Sequence, residues 1–266
     1  MMRGLWSAAS GMKAQQLNID NISNNLANVN TTGYKKMRVE FKDLLYENIK
    51  QSNLSEGEGS PVNLQVGHGV MYSATSRNFE NGSFESTNNP TDLALDGGGF
   101  FGVYNPATDE TFYTRDGSFK LSVDGDTRKL VTSEGYSVLT DDGDEIVLED
   151  GHTDLTVDEF GRVTAKTADG EIEEIGTVAV YEFLNPAGLE AIGSNLYKST
   201  NASGEELLLE GEERKTKMRQ GYLEASNVQI VEEMIKLITA QRAYDINSKA
   251  IQTADEMMQT ANNVKR

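Results

Sequence analysis

The side chains that most often do chemistry are few in this 266-residue chain, and they are scattered. The two histidines, His68 and His152, have no nucleophile motif beside them, and the chain contains no cysteine. The three glycines at 97–99 lack the strand-to-helix setting that a phosphate-binding loop requires, so they indicate a tight turn before Phe100. Because no arrangement passes even the first step of a search for a catalytic site, we expect no enzyme and no cofactor.

Carboxylates are abundant, but their spacing does not indicate a metal site. The segment 141–159 contains nine carboxylates and no Lys or Arg. Its part "DDGDEIVLEDGHTD" fails the ligand spacing of an EF-hand, and a run of like charges is typical of solvated turns. We therefore predict no metal. A secreted adhesive or calcium-binding β domain remains an alternative function.

Composition excludes several classes of partner. A formal net charge of -18 argues against nucleic acid and anionic membranes, which bind clustered Lys and Arg. No apolar run approaches the roughly 18 residues of a membrane span. At the amino terminus, Lys13, Gln15 and Gln16 interrupt the apolar stretch that a cleavable signal peptide needs. If the protein leaves the cytoplasm, we expect it to use another route.

Asparagines replace charge in the first part of the chain. Between residues 14 and 34, Asp20 is the only charged residue. Amides suit a face that becomes buried against polar backbone, since they donate and accept hydrogen bonds without bringing a charge into a low dielectric. A solvated polar face is the alternative, but we expect this face to contact neighbouring subunits. Its members lie three, four and three residues apart: Asn18, Asn21, Asn25 and Asn28.

Apolar residues recur every seven positions at both ends of the chain. This spacing predicts two terminal coiled-coil helices that pair with each other. The first helix is expected to stop at Gly33. A single stripe buries too little apolar surface to order a lone helix, so neighbouring subunits must bury more. The predicted assembly interface consists of Leu5, Met12, Ile19, Ile22, Asn25, Leu26, Asn28, Val29, Leu223, Ile230, Leu237, Tyr244, Ile251 and Met258.

The middle of the chain has the pattern of short strands separated by glycine turns. "LSVDGDTRKLVT" and "LTVDEFGRVT" each predict a β-hairpin, and Phe119, Leu121 and Val123 alternate as in a half-buried strand. The predicted class is α+β. Its predicted parts are an N-terminal helix at 1–33, an extended connector at 34–68, a mainly β domain at 69–217 and a C-terminal helix at 218–266.

Six long motifs occur in order along almost the whole chain: "SAASGM", "NNLANVNTTGYKK", "LDGGGFFGVY", "YTRDGSF", "GYLEASNV" and "QRAYDINSKAIQTADEMM". They resemble the axial proteins of the bacterial flagellum. Both ends are also similar to proximal rod and hook members of that family, whereas the long connector and the chain length favour its distal rod members. The resemblance implies that the paired terminal helices form a core domain and that the β domain is an outer domain.

The resemblance implies a structural subunit that polymerises helically into a tubular drive shaft, transmitting motor torque to the hook. The implied partners are copies of the chain, adjacent proximal rod and hook proteins, and bushing rings where an outer membrane is present. It also implies export through the flagellar type III apparatus without a cleaved signal peptide, to the rod of the basal body. No small-molecule substrate is implied.

Overall fold

The computed structural model describes residues 2–50, 63–125, 127–149, 151–167, 170–209 and 215–264. The chain divides into two compact units. The helical unit contains Met1–Ala27, Met37–Ser76 and Gln229–Arg266, and the β unit contains Asn28–Lys36 and Arg77–Val228. The α+β class is therefore confirmed.

Two terminal helices dominate the helical unit. Helix α1 covers Met2–Ala27, and α2 covers the 35 residues Ile230–Val264. They contact each other. Within the described ranges, neither has the length and apolar content together that a membrane-spanning helix needs. Strand β1 pairs with β4, and β2 pairs with β3. These strands are β1 (Met37–Asp43), β2 (Tyr46–Lys50), β3 (Leu64–Gly67) and β4 (Val70–Arg77), the last residue of which belongs to the β unit.

Both helices stop short of their predicted inner ends. Because α1 ends at Ala27, Asn28 and Val29 lie in the turn that follows, where the Thr31 N–H donates to the Asn28 carbonyl at 3.2 Å. Helix α2 begins only at Ile230, and Leu223 lies in a strand of the β unit. The seven-residue spacing of Leu223 is thus not helical, since backbone pairing with another strand takes precedence there.

The β unit consists of short strands around one main sheet. They are β5 (Phe84–Ser86), β6 (Leu93–Asp96), β7 (Phe100–Asn105), β8 (Glu110–Thr114), β9 (Lys120–Asp124), β10 (Thr127–Val131), β11 (Ser137–Val138), β12 (Val147–Glu149), β13 (Thr153–Val157), β14 (Arg162–Lys166), β15 (Ile172–Thr177), β16 (Val180–Phe183), β17 (Glu190–Gly193), β18 (Leu196–Lys198), β19 (Glu206–Leu208), β20 (Lys217–Gln220) and β21 (Tyr222–Glu224). A 3-10 turn lies at Pro186–Gly188.

The main sheet has ten strands, with the path β12-β10-β11-β7-β8-β18-β17. Strand β9 adds to β10, β16 to β7, and β19 to β16. A three-stranded sheet β13-β14-β15 and the pairs β20-β6 and β21-β5 complete the unit. Its core includes the fully buried Phe101, Val138 and Val163, and a second cluster is built from edge-to-face aromatic rings around Phe100 and Tyr113.

Both predicted hairpins are present. Strands β9 and β10 pair antiparallel with Asp124 opposite Thr127, and β13 and β14 pair with Val157 opposite Val163. The three glycines form a strand-to-strand turn between β6 and β7, as predicted. One expectation differs: Leu121 and Val123 are 38% and 71% exposed. Among the described strands, β9 pairs with β10 alone and lies at the edge of the main sheet.

The predicted connector at 34–68 is not a separate part of the chain. Its described residues from Met37 onward form strands of the helical unit, and 51–62 lies outside the described residues. Residues 28–36 and 218–228, assigned by sequence to the terminal helices or the connector, belong to the β unit. The polar composition of this segment predicted a linker. Its strands left no local pattern in the sequence, because the pairing of β1 with β4 joins residues that are distant in sequence.

Candidate assembly surface and buried junction cluster

The two terminal helices run antiparallel. A Cβ atom at Gly11 would lie 2.8 Å from the side-chain nitrogen of Asn247, and the Asn25 amide donates to Glu233 Oε2 at 3.3 Å. Fourteen residues separate Gly11 from Asn25 on α1, and fourteen separate Glu233 from Asn247 in the opposite direction. The helices therefore stay in register over about four turns.

Small residues fill the seam between the helices. Ala14 and Ala240 are each 3% exposed, and a side chain at Gly11 would require the Asn247 side chain to shift. Small side chains allow two helices to approach closely, and most of the large heptad residues are only partly covered. The buried apolar residues of α1 and α2 are Ala8, Ala14, Ile22, Ala240 and Ala254.

The predicted interface residues are covered to different extents within one chain. Ile22 and Asn25 are buried, whereas Ile230 and Tyr244 are exposed. The chain itself therefore uses two of them fully and leaves two open. The half-buried residues are Leu5, Met12, Ile19, Leu26, Asn28, Val29, Leu223, Leu237, Ile251 and Met258.

Helix α2 carries an exposed apolar stripe that the heptad analysis missed. Its most exposed members are Val231 at 70% and Ile246 at 66%, and most of the stripe follows the spacing of one helix face. It begins one residue after the predicted heptad, on the face turned away from the seam. We call this set the outer stripe: Val231, Met234, Ile235, Ile238 and Ile246.

Asn25 makes its contacts within the chain, and this corrects the expectation that it faces other subunits. Its side chain is 1% exposed, donates to the Met37 carbonyl at 2.8 Å and accepts from the Met37 N–H at 2.9 Å. The Asn21 amide donates to the same carbonyl at 3.0 Å. The amide does pair with polar backbone, as the pattern indicated. That backbone belongs to the start of β1, which no helical periodicity reveals.

Asn28, the last of the four asparagines in the predicted asparagine stripe (Asn18, Asn21, Asn25 and Asn28), lies after α1 and belongs to the β unit. Its side-chain oxygen accepts a hydrogen bond from the Thr31 hydroxyl at 3.2 Å. Asn28 therefore supports a local turn in this chain. The asparagines thus do not form one continuous helical face.

A cluster of three charged side chains is buried in the β unit. Lys35 Nζ lies 2.6 Å from Glu224 Oε1, and Arg115 lies 3.4 Å from Glu224 Oε2 through its guanidinium nitrogen. None of the three side chains is more than 2% exposed. We call Lys35, Arg115 and Glu224 the junction cluster.

The junction cluster holds two cations for one carboxylate. Burial lowers the pKa of Lys35, Glu224 raises it and nearby Arg115 lowers it, and the net result is a pKa of about 8. Burial also lowers the pKa of Arg115. The guanidinium lies 5.4 Å from the Phe100 ring centre and donates to the Gly97 carbonyl at 2.9 Å, and its Nε is buried without a hydrogen-bond partner. Within the part of the chain that the structure describes, Glu224 is therefore the one carboxylate that forms ion pairs with these two desolvated positive charges.

The junction cluster and its neighbours connect chain segments that are distant in sequence. Lys35 also donates to the Glu80 carbonyl at 2.8 Å, and the Lys36 N–H donates to Asn227 Oδ1 at 2.8 Å. Gly33 donates its N–H to the Glu224 carbonyl at 2.8 Å with φ +66. A Cβ at Gly33 would lie 2.7 Å from the Arg115 backbone, so glycine is required by both conformation and space.

No pattern in the sequence predicted a site at these three residues. The available signal was that each is a charged residue inside a motif of mainly uncharged residues: "NNLANVNTTGYKK", "YTRDGSF" and "GYLEASNV". Charge in such a context indicates a buried partner, but it does not identify the partner. Only the tertiary structure pairs Lys35 with Glu224.

The histidines are placed separately, as expected. His68 is exposed and contacts the Leu45 carbonyl at 3.0 Å. His152 is buried and lies 3.0 Å from Glu173 Oε2. Across the ranges that the structure describes, no group of three or more His, Asp or Glu side chains could hold a metal ion.

Comparisons with known families match three parts of the chain. A model described as "Flagella basal body rod protein" matches residues 5–35, and "Flagellar hook protein FlgE/F/G D1 domain" matches residues 94–165. The model "Flagellar basal body rod FlgEFG protein C-terminal" matches residues 219–264. The residues of the junction cluster fall one in each matched part.

Curated relatives match over the full length. The flagellar basal-body rod protein FlgG of Borreliella burgdorferi is 50% identical over 271 residues, covering 100% of both chains. The FlgG proteins of Caulobacter vibrioides and Bacillus subtilis are 43% and 36% identical, covering 99% and 100% of this chain and 100% of each relative. With its antiparallel terminal helices, its β unit and these relatives, the chain belongs to the family of flagellar basal-body rod proteins.

Proposed function

We propose that this chain is a non-enzymatic structural subunit of the distal section of the flagellar rod. Copies of the chain polymerise helically into a shaft that transmits torque from the motor to the hook. The similarity to FlgG proteins over the whole chain supports the rod assignment. A proximal rod or hook protein is the alternative, because family models shared with such proteins match parts of the chain.

The observation that carries polymerisation is the outer stripe. Its five apolar side chains lie on a helix whose opposite side packs against α1, and each would stabilise an interface by about 1–2 kcal/mol if fully buried, because part of each side chain is already covered. An apolar stripe of this size on a helix indicates a protein contact. In our proposal, neighbouring copies cover it, and the paired terminal helices form a coiled-coil-like core of the shaft.

The proposed partners follow from this location. They are copies of the chain, the adjacent proximal rod and hook proteins, and the rings that surround the rod where an outer membrane is present. The chain reaches the basal body through the flagellar type III export apparatus without a cleaved signal peptide. The predicted interface residues Leu237, Ile251 and Met258 contribute beside the outer stripe in this proposal.

The outer stripe can be tested by placing a charge at its centre. We expect Ile235→Asp to leave the monomer folded, because this side chain is 58% exposed, and to prevent formation of rods. The measurement is sedimentation and electron microscopy of the concentrated protein, with circular dichroism to verify folding. Leu184→Asp is the matched control, since Leu184 is an apolar residue of the β unit that is 88% exposed. Normal rods from Ile235→Asp would show that the outer stripe is not the contact.

A further inference from the structure

Asn81 and Gly82 form the only Asn-Gly dipeptide in the chain. An asparagine followed by glycine is chemically labile in a flexible peptide, because glycine has no side chain to hinder attack by its own nitrogen on the asparagine amide. The β unit nevertheless requires both residues at this place.

Gly82 is required by space. A Cβ atom at this position would lie 1.9 Å from the Ala225 carbonyl oxygen, a distance that no side chain can occupy. Asn81 is required by hydrogen bonding. With its amide nitrogen facing the Gly97 carbonyl, Asn81 donates to that carbonyl and accepts from the Gly97 N–H, both at 2.9 Å. An aspartate could not donate to the carbonyl.

The fold also holds both groups that would react. The nucleophile of deamidation is the Gly82 nitrogen, and its N–H donates to Glu224 Oε1 at 2.9 Å. The electrophile is the side-chain carbon of Asn81, whose amide is held by the Gly97 peptide group. Glu224 is buried in the junction cluster and also neutralises Lys35. Breaking the hydrogen bond between the Gly82 N–H and Glu224 therefore removes a hydrogen-bond donor from a buried carboxylate.

We propose that Asn81 is a site of spontaneous deamidation that is reactive in the unfolded chain and closed by folding of the β unit. In the reaction, the Gly82 nitrogen bonds to the side-chain carbon of Asn81. The bond from that carbon to the amide nitrogen breaks, and ammonia leaves with the proton from Gly82. Water then opens the succinimide ring at either carbonyl, which gives aspartate or isoaspartate.

Isoaspartate at position 81 prevents correct folding of the β unit. It adds a methylene group to the backbone directly before Gly82, which displaces the Gly82 N–H from its hydrogen bond with Glu224. The site therefore limits how long a chain can remain unfolded and still fold.

The test compares two states of the wild-type protein at one mildly alkaline pH, in buffer and in concentrated urea. Peptide mass spectrometry measures aspartate and isoaspartate at position 81 over time. We expect deamidation to be at least about tenfold slower in the folded protein, which corresponds to a local opening free energy of about 1.4 kcal/mol or more. Asn247, followed by Ser248 in α2, is the internal reference. Equal rates in both states, or no deamidation at Asn81 in urea, would overturn the proposal.

A second measurement tests the effect on folding. Chains aged in urea are diluted into buffer, and the folded fraction is separated from the fraction that fails to fold. We expect isoaspartate at position 81 to be depleted in the folded fraction. Equal isoaspartate content in both fractions would show that the modification does not impede folding.

Discussion

Replacing Glu224 tests whether one carboxylate balances the two buried cations of the junction cluster. In Glu224→Gln, the positive charges of Lys35 and Arg115 remain buried, while the side chain keeps its size and one oxygen acceptor. Removing one partner of a buried ion pair costs about 3–5 kcal/mol, because the remaining charge is desolvated without compensation. We expect a loss of this size in the free energy of unfolding of the β unit.

Replacing Lys35 removes the excess charge from the same cluster. In Lys35→Met, Arg115 and Glu224 remain as a balanced pair, and the losses are the hydrogen bonds of Lys35 to the Glu80 carbonyl and to Glu224 Oε1. We expect a cost of about 1–2 kcal/mol, because removing a desolvated positive charge offsets part of the loss of these hydrogen bonds, and Asn227 still donates to the Glu80 carbonyl. The charge count therefore predicts that Glu224→Gln destabilises the β unit more than Lys35→Met does.

Urea unfolding followed by near-ultraviolet circular dichroism measures this difference, because the aromatic cluster around Phe100 belongs to the β unit. Glu85→Gln is the matched control. Glu85 is an exposed carboxylate opposite Leu223 in the β5-β21 pair, so we expect a change within about 0.5 kcal/mol. If Lys35→Met costs as much as Glu224→Gln, the explanation by excess positive charge is wrong.

Two further predictions concern the asparagine stripe and pH. We expect Asn25→Asp to destabilise the helical unit by about 2–4 kcal/mol, because a carboxylate would face the Met37 carbonyl and Glu233. Asn28→Asp should change the free energy of unfolding by no more than about 0.5 kcal/mol, since the new side chain still accepts a hydrogen bond from Thr31. Thermal unfolding followed by far-ultraviolet circular dichroism compares the two variants, and equal losses of stability would contradict this prediction. For Lys35, the folded-state pKa of about 8 lies below the ordinary 10.5, so the unfolded chain binds more protons between these values and stability rises with pH. The stability of wild type relative to Lys35→Met should therefore increase by up to about 3 kcal/mol across that range in urea titrations, and a decrease would refute the sign.

Much of the secondary structure could be predicted from sequence because it depends on local spacing. Heptads at both ends gave two terminal helices, and alternation with Asp and Gly turns gave the hairpins β9-β10 and β13-β14. Because the chain has no cysteine, and because His68 and His152 have no nucleophile motif beside them, the sequence did not predict a catalytic site. Motifs along the chain were sufficient to recognise the flagellar family, which the full-length relatives confirm.

The tertiary structure alone decided which residues meet. The seven-residue pattern included Leu223, but pairing with β5 makes it part of a strand. Asn25 belongs to a polar stripe in the sequence, and in the fold its amide pairs with Met37. Lys35 and Glu224 are 189 positions apart, and no periodicity connects them. Local periodicity predicts which backbone hydrogen bonds a segment can make with itself. The contacts of Asn25, Lys35 and Glu224 form only because packing brings distant segments together and excludes water from the charges between them.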